Sequence, residues 1–242
     1  MDIHAVPLKD RKIQSYHDHS KEKDRERIVR AIEAGASVAY ASEAGMPLIA
    51  DPGFALARAV QAADHTVTIA PGASAALAGL ALSGLPTDAF FFGGFLPNTQ
   101  AARRKKLENL KDIPGTLIFF EAPKRVAACL SDMVLMLGGN RDAALARELT
   151  KKFETVIKAP LDSLLQTVKS APPKGEIVLI VGQGSSKIVH PDQIDNDLKA
   201  AMASHSLRDA VDLVAASMGA TRKTIYKRAL ELAKEKGDDD AG

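Results

Sequence analysis

Residues 42–53 read SEAGMPLIADPG, and Gly45, Pro47, Pro52 and Gly53 leave no room in that stretch for a regular element. The run ahead of it, residues 36–41 (ASVAYA), is short and apolar with β-branched and aromatic members, and an amphipathic helical pattern precedes it. That order of helix, strand, turn-rich loop and a new helix near Phe54 predicts a parallel strand whose loop lies at the carboxyl edge of the sheet, where open α/β folds bind ligands. Residues 66–70 (TVTIA) repeat the pattern, followed by Pro71, Gly72, Ala73 and Ser74 and an alanine-rich helix. One such loop is ordinary in any α/β protein. Two, both free of bulky side chains, favour a nucleotide-like ligand held by backbone groups.

The chain has 242 residues, 46% of them hydrophobic, enough to bury a core in one large domain or two smaller ones. Its single cysteine, Cys129, rules out a disulfide framework. Cys129 falls in an apolar helical pattern and is expected to be a buried structural thiol in a reduced, cytoplasmic protein. No apolar run approaches the roughly 20 residues that cross a bilayer, and the polar start lacks a signal-peptide core. With a net charge of +2, the placement of basic residues matters more than their number.

Taken in order, SYHDHS places His17 and His19 about Asp18, a spacing better suited to a turn than to metal ligation. Residues 21–34 predict a charged surface helix with a narrow apolar stripe packed on the sheet. The helix after the second loop stops at SGLPTD, giving a domain boundary near residue 87. Beyond it we expect strands over 89–95, 115–120, 143–147, 153–159 and 176–182, the last most apolar and central, in a mixed sheet. Between these strands fall helices, the first carrying Arg103, Arg104, Lys105 and Lys106 as either a solvated face or a positive knob for phosphates. The third strand-end loop, EAPKR, brings Glu121, Lys124 and Arg125 to another carboxyl edge. Residues 194–202, 207–218 and 221–234 outline a helix-turn-helix whose last helix bears Arg222, Lys223, Tyr226, Lys227 and Arg228.

SYHDHS, SEAGMPLIADPG, PGASA, SGLPTD, GFLP with RRKK, TLIFFEAPKR, ARELTKKFE and PPKGEIVLIVG, in this order, closely resemble the ribosomal RNA small subunit methyltransferase I family over nearly the whole chain. The resemblance implies a tetrapyrrole-methylase-like α/β fold. Its parts are an N-terminal parallel α/β domain over residues 1–87, a mixed α/β domain over 88–184, and a helical domain over 190–236. It implies S-adenosylmethionine in the cleft between the first two, held by Ser42, Glu43, Ala44, Gly45, Met46, Ile49, Ser74, Ala75, Glu121, Ala122, Gly175 and Glu176. It implies methylation of a cytidine ribose 2′-hydroxyl in 16S rRNA of the small subunit, a homodimer, no metal and no membrane. Arg103, Arg104, Lys105, Lys106, Lys124, Arg125, Arg222, Lys223, Lys227 and Arg228 are the candidate RNA contacts, and no catalytic base is assigned. A non-catalytic rRNA-binding relative and a tetrapyrrole precursor methylase are the alternatives.

Two departures stand out. Glu43 and Met46 replace the aspartate and threonine usual in the family. The family's first strand, its Gly-Asn-Leu loop and its Glu-Asp-Thr-Arg segment would precede Ile3 and do not occur, so the first sheet is expected to lack strands and the cofactor site one wall.

Overall fold

The computed structural model describes residues 11–17, 20–184, 191–218 and 222–239. Asp18, His19 and Thr221 therefore lie outside the described residues. The chain divides into two units, Met1–Glu108 with Gly115–Gly182, and Asn109–Pro114 with Gln183–Gly242.

In the first unit three helices come first: α1 (Glu22–Glu33), α2 (Phe54–Ala62) and α3 (Ala75–Ser83). α1 contacts α2, and none of its residues is buried, so the expected packing of its stripe on the sheet is not formed. Residues 36–41 and 66–70, expected as strands, make no ladder among the described residues. A strand is defined by its neighbour. An apolar, β-branched run without a paired backbone stays irregular, and Val38, Val67 and Ile69 are accordingly exposed.

The second half of the unit alternates β1 (Phe90–Phe95), α4 (Gln100–Leu110), β2 (Thr116–Glu121), α5 (Val126–Leu137), β3 (Asp142–Arg147), β4 (Thr155–Pro160), α6 (Leu161–Ser170) and β5 (Ile177–Val181). The strands form one sheet in the order β1-β2-β5-β3-β4, with β1 parallel to β2 and the other pairs antiparallel. β5 (IVLIV) is buried at every residue and sits at the centre, as a continuous apolar run requires. One sheet face, with Ile118, Ala144, Ala146, Val178 and Ile180, packs under Ala76 and Leu80 of α3. Small residues set that distance: a Cβ on Gly79 would meet Val178 Cγ1 at 3.2 Å. The alternate set, including Leu117, Phe119, Leu145 and Leu179, is buried on the other face, where α6 contacts β3 and β4. Cys129 of α5 is fully buried; burial first, and then the neighbouring Glu121 carboxylate, push its thiol far above the ordinary range.

The second unit holds α7 (Pro191–Met202), α8 (Leu207–Met218) and α9 (Arg222–Asp239), each in contact with the other two. Leu198, Ala210, Val211, Val214, Ile225, Ala229 and Leu232 close its core.

Candidate functional site

Strand register brings the expected ligand-binding residues to one end of the sheet. Glu121 pairs with Ile177, and Ile177 with Arg147, so the segments after β2 and β3 and before β5 emerge together. Phe95 pairs with Phe120, which adds the loop after β1. α3 lies over Val178 and Ile180 at Gly79, and Leu85 beyond its end reaches Gly182, so its N-terminus with Ser74 and Ala75 points to that same end. The first amides of a helix have no intrahelical acceptor, and the Ser74 side chain does not cap them.

The two small-residue loops meet. A Cβ on Gly45 would lie 3.3 Å from the Ala73 carbonyl oxygen, and one on Gly72 3.6 Å from Met46 Cγ. Gly45 has φ +70, a left-handed conformation, and Leu48 (φ 71) and Ala50 (φ 55) share that region without being glycine. Such strained residues concentrate where a loop is shaped for a ligand. The Ser42 hydroxyl sits between the carbonyls of Ala44 (3.3 Å) and Gly45 (3.2 Å) and ties the turn, while Glu43, Ala44 and Ile49 are exposed.

Two amides expected to be open are occupied by the chain's own carboxylates. Ala122 donates to Glu121 Oε1 at 2.8 Å, and Glu176 to Glu148 Oε1 at 2.9 Å. Glu148 stands at φ 49, and a Cβ on Gly175 (φ +86) would fall 2.4 Å from its carboxyl carbon; only glycine fits. The Glu176 amide and then Lys151 (3.2 Å) hold the Glu148 carboxyl below the ordinary glutamate range. Lys151 also bridges to Glu176 at 3.1 Å, and those two carboxylates raise its ammonium. Sequence reasoning missed Glu148, which sits in a charged link without periodicity.

Arginines fix the loop after β1. Arg125 donates to the carbonyls of Leu96 (2.7 Å) and Pro97 (3.1 Å) and to Asn98 Oδ1, and pairs with Glu121 at 3.2 Å. Arg103 reaches the carbonyls of Pro97 and Asn98 and pairs with Asp132 at 2.6 Å. Arg103 is 5% exposed and Asp132 wholly buried, which corrects the expectation that Arg103 is at the surface, whether in a solvated face or in a positive knob. Arg104 shares Asp132 at 2.7 Å from a half-exposed position, and Lys106 donates to the Gly93 carbonyl at 2.7 Å. Lys105 and Lys124 are the exposed cations of this region. Glu121 is 3% exposed, and its carboxylate is committed inside the fold to the Ala122 amide and Arg125.

On α9, Arg222 pairs with Asp212 of α8, which raises its guanidinium, and Arg228 pairs with Asp195 (2.5 Å) and Glu231 (3.0 Å). Arg228 in turn depresses the Asp195 carboxyl. Lys227 is exposed, whereas the Lys223 side chain is outside the described residues. Among the described residues no cluster of three or more metal-ligating side chains occurs, and no helix is long and apolar enough to cross a membrane.

Known proteins share both units. The tetrapyrrole (corrin/porphyrin) methylase family matches residues 4–165, and the RsmI C-terminal HTH domain matches residues 189–233. Ribosomal RNA small subunit methyltransferase I of Mesorhizobium japonicum is 42% identical over 235 residues, covering 96% of this chain and 79% of the relative. The protein of the same name from Xylella fastidiosa is 43% identical over 223 residues, covering 90% and 81%. Among solved structures, the methyltransferase CobJ has a similar fold, with a TM-score of 0.58 at 18% identity over 76% of this chain and 80% of that one. A conserved hypothetical protein from Aeropyrum pernix K1 gives 0.51 at 16% identity over 89% and 77%.

Proposed function

The chain belongs to the ribosomal RNA small subunit methyltransferase I family of tetrapyrrole-methylase-fold enzymes, and from that premise we propose that it methylates the 2′-hydroxyl of a cytidine ribose in 16S rRNA with S-adenosylmethionine as donor. The observation that carries this reading is the meeting of the Gly45 and Gly72–Ala73 loops beside the α3 N-terminus, at the sheet end that also holds Ala122 and Gly175.

The residues fit the cofactor. Gly45 and Gly175 take up left-handed conformations that favour glycine, and Gly72 and Ala73 carry little or no side chain, leaving a surface that a ligand's amino-acid, ribose and adenine edges can approach. When bound, S-adenosylmethionine supplies an electrophilic methyl group on a sulfonium. The chain's own contribution is placement: the loop of residues 42–53 and the first turn of α3 hold one side, and the arginine-fixed loop of residues 96–98 keeps the neighbouring wall rigid. Orienting a hydroxyl against a methyl group in this way supplies most of what such a transfer needs.

The substrate in this reading is the assembled 30S subunit in the cytoplasm and the working form a homodimer. Residues 1–87 and 88–184 act as the two cofactor-binding halves and 190–236 as the RNA-engaging domain. The test is transfer of tritium from methyl-labelled S-adenosylmethionine to 30S subunits lacking the modification, followed by alkaline hydrolysis of the 16S rRNA. Label in an alkali-resistant dinucleotide with cytidine on its 5′ side supports ribose methylation of cytidine; label on a base, or none, overturns it.

A further inference from the structure

α9 turns Ile225, Ala229 and Leu232 into the core of the second unit. With 3.6 residues per turn, Arg222, Tyr226 and Leu230 then form a separate stripe at intervals of four. Tyr226 is 43% and Leu230 41% exposed, so the stripe shows an aromatic ring and an aliphatic side chain to solvent. The segment around it is strongly basic. Residues 222–236 carry six lysines and arginines against two glutamates. Two of those cations do not point freely outward, however: Asp212 holds Arg222, and Asp195 with Glu231 holds Arg228. Pairing removes part of their pull on phosphate, and it ties the planar Arg222 guanidinium to Asp212, one helical turn from Tyr226.

A long basic helix that spends two arginines on carboxylates and keeps a tyrosine in the open is poorly arranged as a phosphate rod and well arranged for a base. Nucleobases offer π faces to an aromatic ring and to a guanidinium plane, and single-stranded RNA joins such faces to a polyanion that the helix attracts. We infer that the Arg222–Tyr226 stripe of α9 is a base-stacking surface for an unpaired nucleotide of the RNA substrate. The inference rests on the rRNA reading above and names how the C-terminal domain takes hold of it.

The experiment measures binding of the full chain to a short single-stranded oligoribonucleotide, to naked 16S rRNA and to 30S subunits across a salt series. Tyr226→Ala should weaken binding on the order of 10-fold, with the salt slope unchanged because no charge is removed. Tyr226→Phe should bind as the parent does. The chain has no tryptophan and three tyrosines, so oligonucleotide-dependent quenching of tyrosine emission should shrink in Tyr226→Phe. Equal thermal unfolding of the three proteins shows that folding is intact. If the parent binds RNA and Tyr226→Ala binds it equally, the stacking surface is refuted while the methyltransferase reading stands. If Tyr226→Phe loses as much as Tyr226→Ala, the hydroxyl and not the ring is responsible, and stacking is again refuted. Loss of 30S binding without loss of naked 16S rRNA assigns the stripe to a ribosomal protein instead. A parent chain that neither binds 16S rRNA nor methylates 30S subunits overturns the rRNA reading and the stacking surface together.

Discussion

Gly45 tests the candidate site at its narrowest point. At φ +70 any side chain is strained by about 1 kcal/mol, and a Cβ there already stands 3.3 Å from the Ala73 carbonyl. Gly45→Val should therefore abolish calorimetric binding of S-adenosylmethionine. Gly94→Ala, at φ +60 with nothing within 4 Å of the added carbon, carries similar strain away from the loop and should bind normally. Equal affinity in both variants would remove the loop from the site. Glu148 gives a second test, in pH. Its carboxyl is depressed in the folded chain by the Glu176 amide and Lys151, so its stabilising contribution is present above the unfolded pKa and lost as pH falls through the lower folded value. On acidification below the ordinary glutamate range, the melting temperature of the parent should fall faster than that of Glu148→Gln, and parallel curves would refute the linkage. Neither the sign of Gly45 φ nor the partner of Glu148 can be read from spacing. The residue type at Gly45 signalled a tight turn, but the contact with Ala73 lies 28 positions away and Glu148 meets Gly175 only because β3 and β5 pair.

Elements were legible where burial writes a pattern. The five paired strands and the six helices from α4 to α9 follow apolar runs and helical stripes, and β5 was placed centrally from its unbroken hydrophobicity. Residues 36–41 and 66–70 carry the same β-type signal yet form no ladder among the described residues, because composition sets a preference and pairing decides the outcome. α4 shows the complementary failure. Four consecutive basic residues read as a solvated face or a positive knob, exposed in either case, but a helix turns about 100° per residue, so Arg103 faces Asp132 inside the fold while Lys105 faces solvent. Their substitutions should diverge accordingly. Arg103→Ala leaves the buried Asp132 with the half-exposed Arg104 and the Gln100 amide (3.4 Å), and removes a donor from the carbonyls of Pro97 and Asn98; it should cost about 3 kcal/mol in urea unfolding. Lys105→Ala should stay within about 0.5 kcal/mol. Similar, small losses in both would mean that the Arg103–Asp132 pair does not hold α4 to α5.

At the scale of the molecule, the proposal divides labour between a unit that binds the methyl donor and a unit that helps hold RNA, with exposed cations available in each: Lys105 in the first and Lys227 in the second. Both being solvent-facing, their removal should leave folding and S-adenosylmethionine affinity alone. If one RNA contacts both, each single alanine variant should reduce the salt slope of 16S rRNA binding by about 1, since each removes one phosphate contact. The losses should be independent, because the two residues share no partner, and the double variant should then show the product of the two fold-changes and a slope lower by about 2. A different pattern would be equally informative. If Lys227→Ala lowers the slope and Lys105→Ala does not, the first unit presents its face to water and takes only the target nucleotide, and the grip on RNA belongs to α9. If neither changes the slope, the basic residues on both units are solvated surface, and recognition of the small subunit must run through uncharged contacts such as Tyr226.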